Sequence, residues 1–344
     1  MTWLITGGCG FIGSNLADVL LQRGEHVALF DNLSRVGSQD NLQWLRGKHG
    51  NKWDFIQGDV RASAQIEDTV RKFKPRAMIH LAGQVAMTTS VQNPRMDFEI
   101  NGMGTLNALE AIRLYSPETI VLYSSTNKVY GSLEDLHYRE MEYRYELVDF
   151  PNGLSESLPL DGHSPYGCSK LTGDQYVHDY SRMYGLRTVV FRHSSMYGGR
   201  QFATYDQGWI GGFCQKAIEM KDPHSPAFTI SGDGKQVRDV LHARDLVQVY
   251  LKAVEHIGRA SGQIYNIGGG MGNSLSLLEL FQMLETLTDC PLRFEHLPWR
   301  HGDQKVFVAD ISKAIRDFEW QPTVSKENGI QQMLEWSKEI YHGN

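Results

Sequence analysis

Short apolar runs alternate with amphipathic stretches along the first half of the chain. Each run is continuous and rich in β-branched or aromatic residues, which is typical of strands buried on both faces. The predicted strands are residues 2–6, 26–30, 53–57, 77–81, 119–125 and 187–192. The predicted helices are the stretch after the first strand up to about Arg23, and residues 62–73, 96–115 and 166–184. Strand–helix alternation with short links predicts an α/β fold with a parallel, doubly wound sheet.

A glycine-rich turn, GGCGFIG, joins the first strand to the first helix. Gly7 permits the tight turn, Gly10 lets a pyrophosphate approach the backbone, and Gly13 allows close packing of helix and strand. Phe11 and Ile12 open the helix, whose N-terminus attracts phosphate groups. The pattern predicts a Rossmann dinucleotide site.

Asp31 ends the second predicted strand, eighteen positions after Gly13. A carboxylate at this place binds the ribose hydroxyls and repels a 2′-phosphate, which favours NAD over NADP. Asn32 follows it as a further cofactor candidate. Arg35 leaves the NADP alternative open, because an arginine can either stack on adenine or accept that phosphate.

Ligands of parallel sheets bind where the strands end. The remaining strand ends therefore provide more candidates for cofactor binding, which are Asp59, Val60, Leu81, Ala82, Gln84 and Ser124.

Tyr166 and Lys170 stand four residues apart on a predicted helix. They project from the same face, so the ammonium can lower the pKa of the phenol and make it a usable base. The spacing alone also fits an exposed helical pair. The glycine turn and Asp31 favour the catalytic interpretation.

Composition excludes several other classes of function. The net charge of −6 provides no basic surplus for a nucleic acid or a membrane surface. The four cysteines are far apart and the histidines lack ligand spacing, so neither disulfides nor a metal site are predicted. His80, at a strand end, is expected to be packed or hydrogen-bonded. Without a signal peptide or long apolar span, we expect a cytoplasmic protein.

Together these motifs resemble the extended short-chain dehydrogenases/reductases, in their nucleotide-sugar epimerase branch. The resemblance covers the chain almost end to end. The residues that carry it are 6–13, 59–60, 80–83, 101–105, 124–131 and the pair Tyr166 and Lys170.

The resemblance implies a catalytic set of Thr126, Tyr166 and Lys170, in which the last two also contact the cofactor. Asn101 would support the lysine through water. The implied chemistry is removal of a hydride from a sugar carbon by tightly bound NAD, and its return to the opposite face of a transient ketose. Tyr166 would take the hydroxyl proton while Thr126 positions the same oxygen.

Three further stretches, residues 84–90, 124–130 and 192–209, resemble family members that act at carbon 2 of a CDP-linked dideoxyhexose. Arg238 and Arg300 would hold the nucleotide diphosphate, since a guanidinium pairs two phosphate oxygens at once. The substrate-binding residues implied by the resemblance are Met87, Thr88, Thr126, Asn127, His193, Ser195, Arg200, Arg238 and Arg300.

The resemblance also implies the division of the chain. We predict an NAD-binding Rossmann domain at 1–195, to which segments around 228–270 return. Residues 196–344 would form mainly a smaller α+β substrate-binding cap. The irregular segment 132–165 is either a wall or lid of the substrate cleft or a surface excursion.

Several alternatives remain open. No spacing distinguishes cytosine from uracil, so a UDP-sugar 4-epimerase or another epimerase or reductase of the family is one of them. Family 4,6-dehydratases carry an Asp-Glu pair after the catalytic threonine, where this chain has Asn127 and Lys128. A non-catalytic Rossmann module would not need Tyr166 and Lys170. A homodimer or homotetramer is expected, because the helices at 96–115 and 166–184 form the dimer bundle in the family.

Overall fold

The computed structural model describes residues 1–205, 207–300 and 302–341. Its strands are β1 (Thr2–Thr6), β2 (His26–Asp31), β3 (Asp54–Gln57), β4 (Ala77–His80), β5 (Ile120–Thr126), β6 (Tyr138–Glu140), β7 (Tyr145–Leu147), β8 (Thr188–His193), β9 (Ser195–Tyr197), β10 (Phe228–Ser231), β11 (Val237–His242), β12 (Gln263–Ile267), β13 (Ser274–Ser276), β14 (Phe294–Leu297) and β15 (Val306–Phe307).

The α-helices are α1 (Phe11–Gln22), α2 (Ser38–His49), α3 (Ser63–Phe73), α4 (Met87–Gln92), α5 (Pro94–Phe98), α6 (Gly104–Tyr115), α7 (Ser164–Tyr184), α8 (Trp209–Glu219), α9 (Ala243–Glu255), α10 (Ile257–Ala260), α11 (Leu277–Thr288), α12 (Ser312–Phe318) and α13 (Lys326–Tyr341). A π-helical turn, Glu99–Met103, joins α5 to α6. Short 3₁₀ turns cover Asn127–Tyr130 and Met271–Asn273.

Seven parallel strands form the large sheet, in the order β12-β8-β5-β4-β1-β2-β3. Alternate residues of each strand face opposite layers: Ile5 packs with the cluster that includes α1, and Leu4 with the cluster that includes α3 and α6. This doubly wound sheet confirms the predicted fold class. The strand order reverses between β1 and β4, which is where ligands bind on such sheets.

The C-terminal half both extends this sheet and builds a smaller unit. β12 pairs with β8, so residues 263–267 belong to the large sheet. In the smaller unit, β10 pairs with β14, and β11 pairs with β9, β13 and β15. Helices α8, α11 and α13 contribute to a separate apolar cluster there. The exact domain boundaries, 1–195 and 196–344, stay a prediction.

The segment 132–165 is anchored to the smaller unit. Its β6–β7 hairpin is joined to that unit by hydrogen bonds from Tyr145 N to Lys235 O, 3.0 Å, and from Ser276 Oγ to Tyr143 O, 2.7 Å. Leu154 N donates to Val308 O at 2.7 Å. The segment therefore connects the end of β5 to the smaller unit.

Candidate active site

The glycine turn after β1 leaves no room for side chains at two positions. Gly7 has φ +67°, and a Cβ on it would lie 2.7 Å from Ala82 N. A Cβ on Gly13 would lie 2.5 Å from Gly7 O. Gly10 caps α1 without a side chain, so the first amides of that helix, from Phe11 onward, stay open to a ligand. This backbone cradle fits the pyrophosphate of a dinucleotide.

Asp31 lies at the end of β2 beside that turn, as predicted. Its Oδ2 accepts a hydrogen bond from Cys9 N at 2.9 Å, and its Oδ1 accepts one from Leu33 N at 2.8 Å. Burial raises the pKa of Asp31, and these two amides oppose the shift. A carboxylate has about four acceptor positions, so capacity for ribose hydroxyls remains.

The neighbouring strand end supplies a second carboxylate. Asn32 Nδ2 donates to Asp59 Oδ2 at 3.0 Å, and hydrogen bonds from Arg61 lower the pKa of Asp59 to about 2. A cavity of about 660 Å³ adjoins them. Its lining residues are Asp59, Arg61, Ala62, Ser63, Glu99, Met103 and Asn107. Arg35 is half-buried and has no ion pair within the described ranges, so the structure leaves its role open.

The other predicted cofactor residues line the same edge. Leu81 N and Ala82 N donate to Thr6, at 3.1 Å and 3.3 Å, which ties the end of β4 to the glycine turn. Val60 is buried, and its carbonyl oxygen accepts from Asn107 Nδ2 at 2.9 Å.

Thr126, Tyr166 and Lys170 come together where β5 ends and α7 begins. All three are more than nine-tenths buried. The Thr126 hydroxyl is close enough to the Tyr166 phenol to influence its pKa. Lys170 Nζ donates to the carbonyl oxygen of Ser124 and lies 4.3 Å from the ring centroid of Tyr123. The structure thus brings the predicted catalytic set together in one place.

The protein side chains alone do not give Tyr166 the lowered pKa that its spacing from Lys170 predicts. Burial raises the pKa of Tyr166 to about 12, although the nearby Thr126 hydroxyl opposes the shift. Burial also lowers the pKa of Lys170 to about 7, against the attraction of Asp174 and Asp97. The same desolvation penalises the phenolate and the ammonium. Deprotonation of Tyr166 therefore requires further positive charge.

Asn101 lies in the π-helical turn behind these residues. Its Oδ1 accepts from Gln84 N at 3.0 Å, and its Nδ2 contacts Ser169 Oγ at 3.0 Å and Asp97 Oδ1 at 3.2 Å. The sequence analysis missed Asp97 and Ser169. The available signal was the four-residue spacing of Asp97 and Asn101, which puts two polar residues on one face of a helix.

His193 is part of the strand wall. Its Nδ1 lies 3.1 Å from Ser124 Oγ and its Nε2 lies 3.2 Å from Tyr250 OH, so both ring nitrogens have protein partners. Burial lowers its pKa to about 3. Ser195 Oγ accepts from Trp209 Nε1 at 3.2 Å. The substrate contacts predicted for His193 and Ser195 stay predictions.

His80 is packed and hydrogen-bonded, as expected. It lies 2.7 Å from Thr6 Oγ1 and 3.2 Å from Thr105 Oγ1. In the described ranges, no group of three or more His, Cys, Asp or Glu residues could hold a metal ion.

A charged cluster links the 3₁₀ turn after β5, Asn127–Tyr130, to the smaller unit. Arg238 Nη2 donates to Asp303 Oδ1 at 2.7 Å, and Lys128 Nζ lies 3.7 Å from the same oxygen. Asn127 Nδ2 donates to Gln304 Oε1 at 3.0 Å. The sequence analysis missed Lys128, Asp303 and Gln304 as site residues, because only the fold brings residues 128 and 303 together.

The ammonium of Lys128 is buried and has no hydrogen-bond partner in the described part of the chain. Burial and the neighbouring Arg238 lower its pKa to about 8, against the attraction of Asp303. Burial alone would raise the pKa of Asp303, but Arg238 and Lys128 bring it below the usual value. Positive charge therefore exceeds negative charge in this cluster.

The other predicted substrate residues lie in different surroundings. Arg300 Nε donates to Ser231 Oγ at 3.2 Å. The Arg200 guanidinium lies 4.7 Å and 5.9 Å from the ring centroids of Trp44 and Trp336, so its side-chain contacts are with α2 and α13. Met87 and Thr88 open helix α4, close to Gln84, and are half-buried. Their substrate roles stay predictions.

No helix in the described ranges is both long and apolar enough to span a membrane.

Known proteins resemble the chain over its whole length. It is 56% identical over 340 residues to a CDP-paratose 2-epimerase of Salmonella typhi, covering 99% of this chain and 100% of that protein. It is 32% identical to a putative UDP-glucose 4-epimerase of Methanocaldococcus jannaschii, covering 97% and 98%. The structure of a Bacillus cereus UDP-glucuronic acid 4-epimerase, in complex with UDP-glucuronic acid and NAD, matches with a TM-score of 0.84 and 27% identity, over 99% of this chain and 100% of that one.

A family model described as GDP-mannose 4,6 dehydratase matches residues 4–333. The match spans both the glycine turn and the charged cluster around Asp303. The chain therefore belongs to the GDP-mannose 4,6 dehydratase family, and its 56% identity to an epimerase confirms the predicted resemblance to nucleotide-sugar epimerases.

Proposed function

We propose that this protein is an NAD-dependent epimerase that inverts carbon 2 of a CDP-linked dideoxyhexose, of the CDP-paratose to CDP-tyvelose type. The observation that carries the proposal is the 56% identity to a CDP-paratose 2-epimerase over 99% of the chain. The matched 340 residues include the catalytic set and the substrate side, so the similarity bears on specificity as well as on fold.

The backbone turn at Gly7 and Gly13 and the carboxylate of Asp31 would hold the dinucleotide. The chemistry that NAD supplies when bound is reversible acceptance of a hydride, with a positive nicotinamide in the oxidised state. A positive charge beside the buried Tyr166 phenol would lower its pKa and so allow it to ionise. NAD is regenerated in each turnover and would remain bound throughout.

The chain's own residues would handle the proton and the orientation. Tyr166 as phenolate removes the proton from the hydroxyl at carbon 2, and Thr126 donates or accepts a hydrogen bond at the same oxygen. Lys170 stabilises the phenolate by its charge. The substrate passes through a transient 2-keto sugar, which must present its other face before it is reduced again.

Arg238, Arg300 and Lys128 would bind the nucleotide diphosphate. Arg238 and Lys128 share one carboxylate, that of Asp303, so a dianionic diphosphate would compensate the excess charge. In a 2-epimerase, the reacting carbon is bonded to the carbon that carries the diphosphate. Thr126, beside the reacting carbon, and Lys128, beside the diphosphate, are only two residues apart in the chain. This spacing suits two substrate groups that are held on adjacent carbons.

The main alternative is a UDP-sugar 4-epimerase, which the 32% identity to a putative UDP-glucose 4-epimerase favours. A 4,6-dehydratase is disfavoured, because Asn127 and Lys128 cannot act as the acid–base pair that the elimination of water requires. Asn127 is instead hydrogen-bonded to Gln304.

A thermal-shift and turnover panel of CDP-, UDP-, GDP- and dTDP-sugars tests the proposal. Ligands that bind the folded state raise its melting temperature. We expect the largest shift with CDP-sugars and formation of the 2-epimer of a CDP-dideoxyhexose. Turnover of UDP-glucose with no response to CDP-sugars would establish the alternative instead.

A homodimer, or a homotetramer built from it, is proposed as the assembly. Large apolar side chains are exposed along α6 and α7 and the π-helical turn, including Met103 at 42%, Leu114 at 51%, Tyr176 at 45% and Tyr184 at 54%. Large exposed apolar side chains on two neighbouring helices are typical of an interface. Light scattering after size-exclusion chromatography measures the mass, and a monomer would contradict this assignment.

A cytoplasmic location is also proposed. All four cysteines are free, which suits a reducing compartment. Recovery of the protein from a periplasmic or extracellular fraction would contradict it.

A further inference from the structure

Asp97 is a buried carboxylate without a cation of its own. Its exposed fraction is 0%, and it forms no ion pair with any residue that the structure describes. It accepts hydrogen bonds from Gln84 Nε2 at 2.7 Å, from Asn101 Nδ2 at 3.2 Å and from Ser169 Oγ. A carboxylate is expensive to bury unless it is paired or satisfied by hydrogen bonds. Neither the cofactor site nor the catalytic set uses this one directly.

The position of Asp97 connects it to the catalytic helix. Ser169, which contacts Asp97, precedes Lys170 and lies 3.1 Å from the carbonyl oxygen of Tyr166. A Cβ on Gly83 would lie 3.0 Å from Asn101 Oδ1 and 3.8 Å from Lys170 Nζ. The Asn101 amide, which is bonded to Asp97, and the Lys170 ammonium therefore flank the same short stretch of backbone.

Lys170 needs a compensating charge. Its buried ammonium contacts a neutral carbonyl group and the face of the Tyr123 ring. Asp174, one helical turn further on, is already bound by Arg192, whose Nε and Nη2 donate to it at 2.9 Å and 2.8 Å. Asp174 therefore has a cation of its own, although it still attracts Lys170. Asp97 is the remaining carboxylate that attracts Lys170.

The other titratable groups around Lys170 supply no charge at neutral pH. His80 on β4 and His193 on β8 have pKa values lowered by burial to about 3. Burial raises the pKa of Tyr123 well above its usual value, and that of Tyr166 to about 12.

We propose that Asp97 is a positioning residue that keeps Lys170 protonated in its buried site and thereby sets the alkaline limit of catalysis. The proposal rests on the catalytic roles given above to Tyr166 and Lys170. Burial raises the pKa of Asp97, and the hydrogen bonds from Ser169 and Gln84 and the charge of Lys170 oppose that shift. The hydrogen-bond donors are neutral groups, so none of them cancels the negative charge of the carboxylate. The negative charge of Asp97 can therefore attract the Lys170 ammonium.

Two variants separate charge from structure. Asp97→Asn removes the charge but keeps the size and one acceptor oxygen, whereas Ser169→Ala removes a hydrogen bond and keeps the charge. Asp68→Asn is the matched control, because it makes the same charge change on the exposed surface of α3, at a side chain that is 78% exposed.

The readout is the protonation of Lys170 itself, measured on the protein as purified. Competitive acetylation with acetic anhydride over a range of pH, followed by mass spectrometry of the peptide that contains Lys170, gives the titration midpoint without turnover. We expect Asp97→Asn to lower this midpoint by about one pH unit. The alkaline limb of the kcat profile should move by the same amount. Ser169→Ala and Asp68→Asn should leave both in place.

An unchanged midpoint in Asp97→Asn would overturn the proposal, and so would an equal shift in Ser169→Ala, since either result would leave Asp97 with a structural role only. If Asp97→Asn does not fold, Asp97→Ser provides the same test with room for water. Failure of the catalytic assignment is recognised separately, by undiminished turnover in Tyr166→Phe, because acetylation reports on Lys170 whether or not the enzyme turns over.

Discussion

At the residue scale, burial decides the chemistry of the site. The spacing of Tyr166 and Lys170 indicated a lysine that lowers the pKa of a phenol. The structure buries both side chains, and burial raises the pKa of Tyr166 to about 12 and lowers the pKa of Lys170 to about 7. Sequence spacing identifies which residues meet, but it does not give their burial. The acidity of the site therefore could not be predicted from the motif.

Replacement of Tyr166 tests the catalytic assignment. Tyr166→Phe removes only the ionisable oxygen, so the fold and the bound NAD should be retained. Loss of a general base costs roughly 10²–10⁴-fold in rate. We expect a fall in kcat of that size, with unchanged melting temperature and unchanged absorbance of released NAD. Activity above about a tenth of the original would be incompatible with the role of a general base.

Replacement of Lys128 tests the diphosphate site. Lys128→Met removes a buried ammonium that has no hydrogen-bond partner in the described residues, so the protein should fold. Lost charge-assisted bonds to phosphate are worth about 1.5–3 kcal/mol, so KM should rise roughly 10- to 150-fold while kcat changes little. If KM stays the same, Lys128 serves only as a partner of Asp303.

The same lysine predicts a dependence of binding on pH. Burial lowers the pKa of Lys128 to about 8, so the ammonium is charged below that pH and neutral above it. Because the diphosphate binds the charged form, affinity should be full below pH 8 and fall as the pH rises through about 8. Titration calorimetry with CDP between pH 7 and 9 measures this change. Lys128→Arg, which stays charged, should show a flat profile.

At the scale of elements, the sequence predicted the features that depend on local pattern. The β1 strand, the glycine turn and the ends of β2 and β4 lie where the apolar runs and glycines indicated. Helix α2 was missed, because Leu42 and Leu45 are its only buried apolar residues. The predicted helix 96–115 begins earlier, at Pro94, and contains a π-helical turn. Such a turn changes the hydrogen bonding of the backbone and has no signal in apolar periodicity.

The glycine turn gives a prediction at this scale. A Cβ at Gly13 would meet backbone atoms of Gly7 and Gly8 at 2.5–2.7 Å, and these cannot move aside as a side chain would. Gly13→Ala should destabilise the protein by about 1–3 kcal/mol and release NAD. The control is Gly47→Ala inside α2, where a Cβ meets nothing within 4 Å. That change should preserve NAD and raise stability by about 0.5–1 kcal/mol. Equal NAD content in both variants would remove Gly13 from the cofactor site.

At the scale of the whole molecule, the site is divided between two structural units. Thr126, Tyr166 and Lys170 belong to the large sheet and its helix, whereas Arg238 and Asp303 come from the smaller unit. Their juxtaposition depends on long-range pairing, such as the hydrogen bond between Asn127 and Gln304, 177 residues apart. Motifs and family resemblance in the sequence provided Thr126, Tyr166 and Lys170 in the first unit and Arg238 in the second. It could not provide the cluster of Lys128, Arg238 and Asp303, because no local pattern links residues 128 and 303.

The fate of hydrogen at the inverted carbon tests the reaction that this whole assembly performs. A hydrogen that leaves carbon 2 as hydride and returns as hydride never becomes a proton that exchanges with water. Turnover in deuterated water should therefore yield epimer without deuterium at carbon 2, and a deuterium label placed there should remain in the product. An epimerase that removes a proton from carbon would exchange it with solvent through its base. Solvent deuterium at carbon 2, detected by mass spectrometry, would contradict hydride transfer. Loss of a label from another ring carbon would place the chemistry at that carbon instead. The sugar would then bind in a different orientation between Thr126 and Arg238.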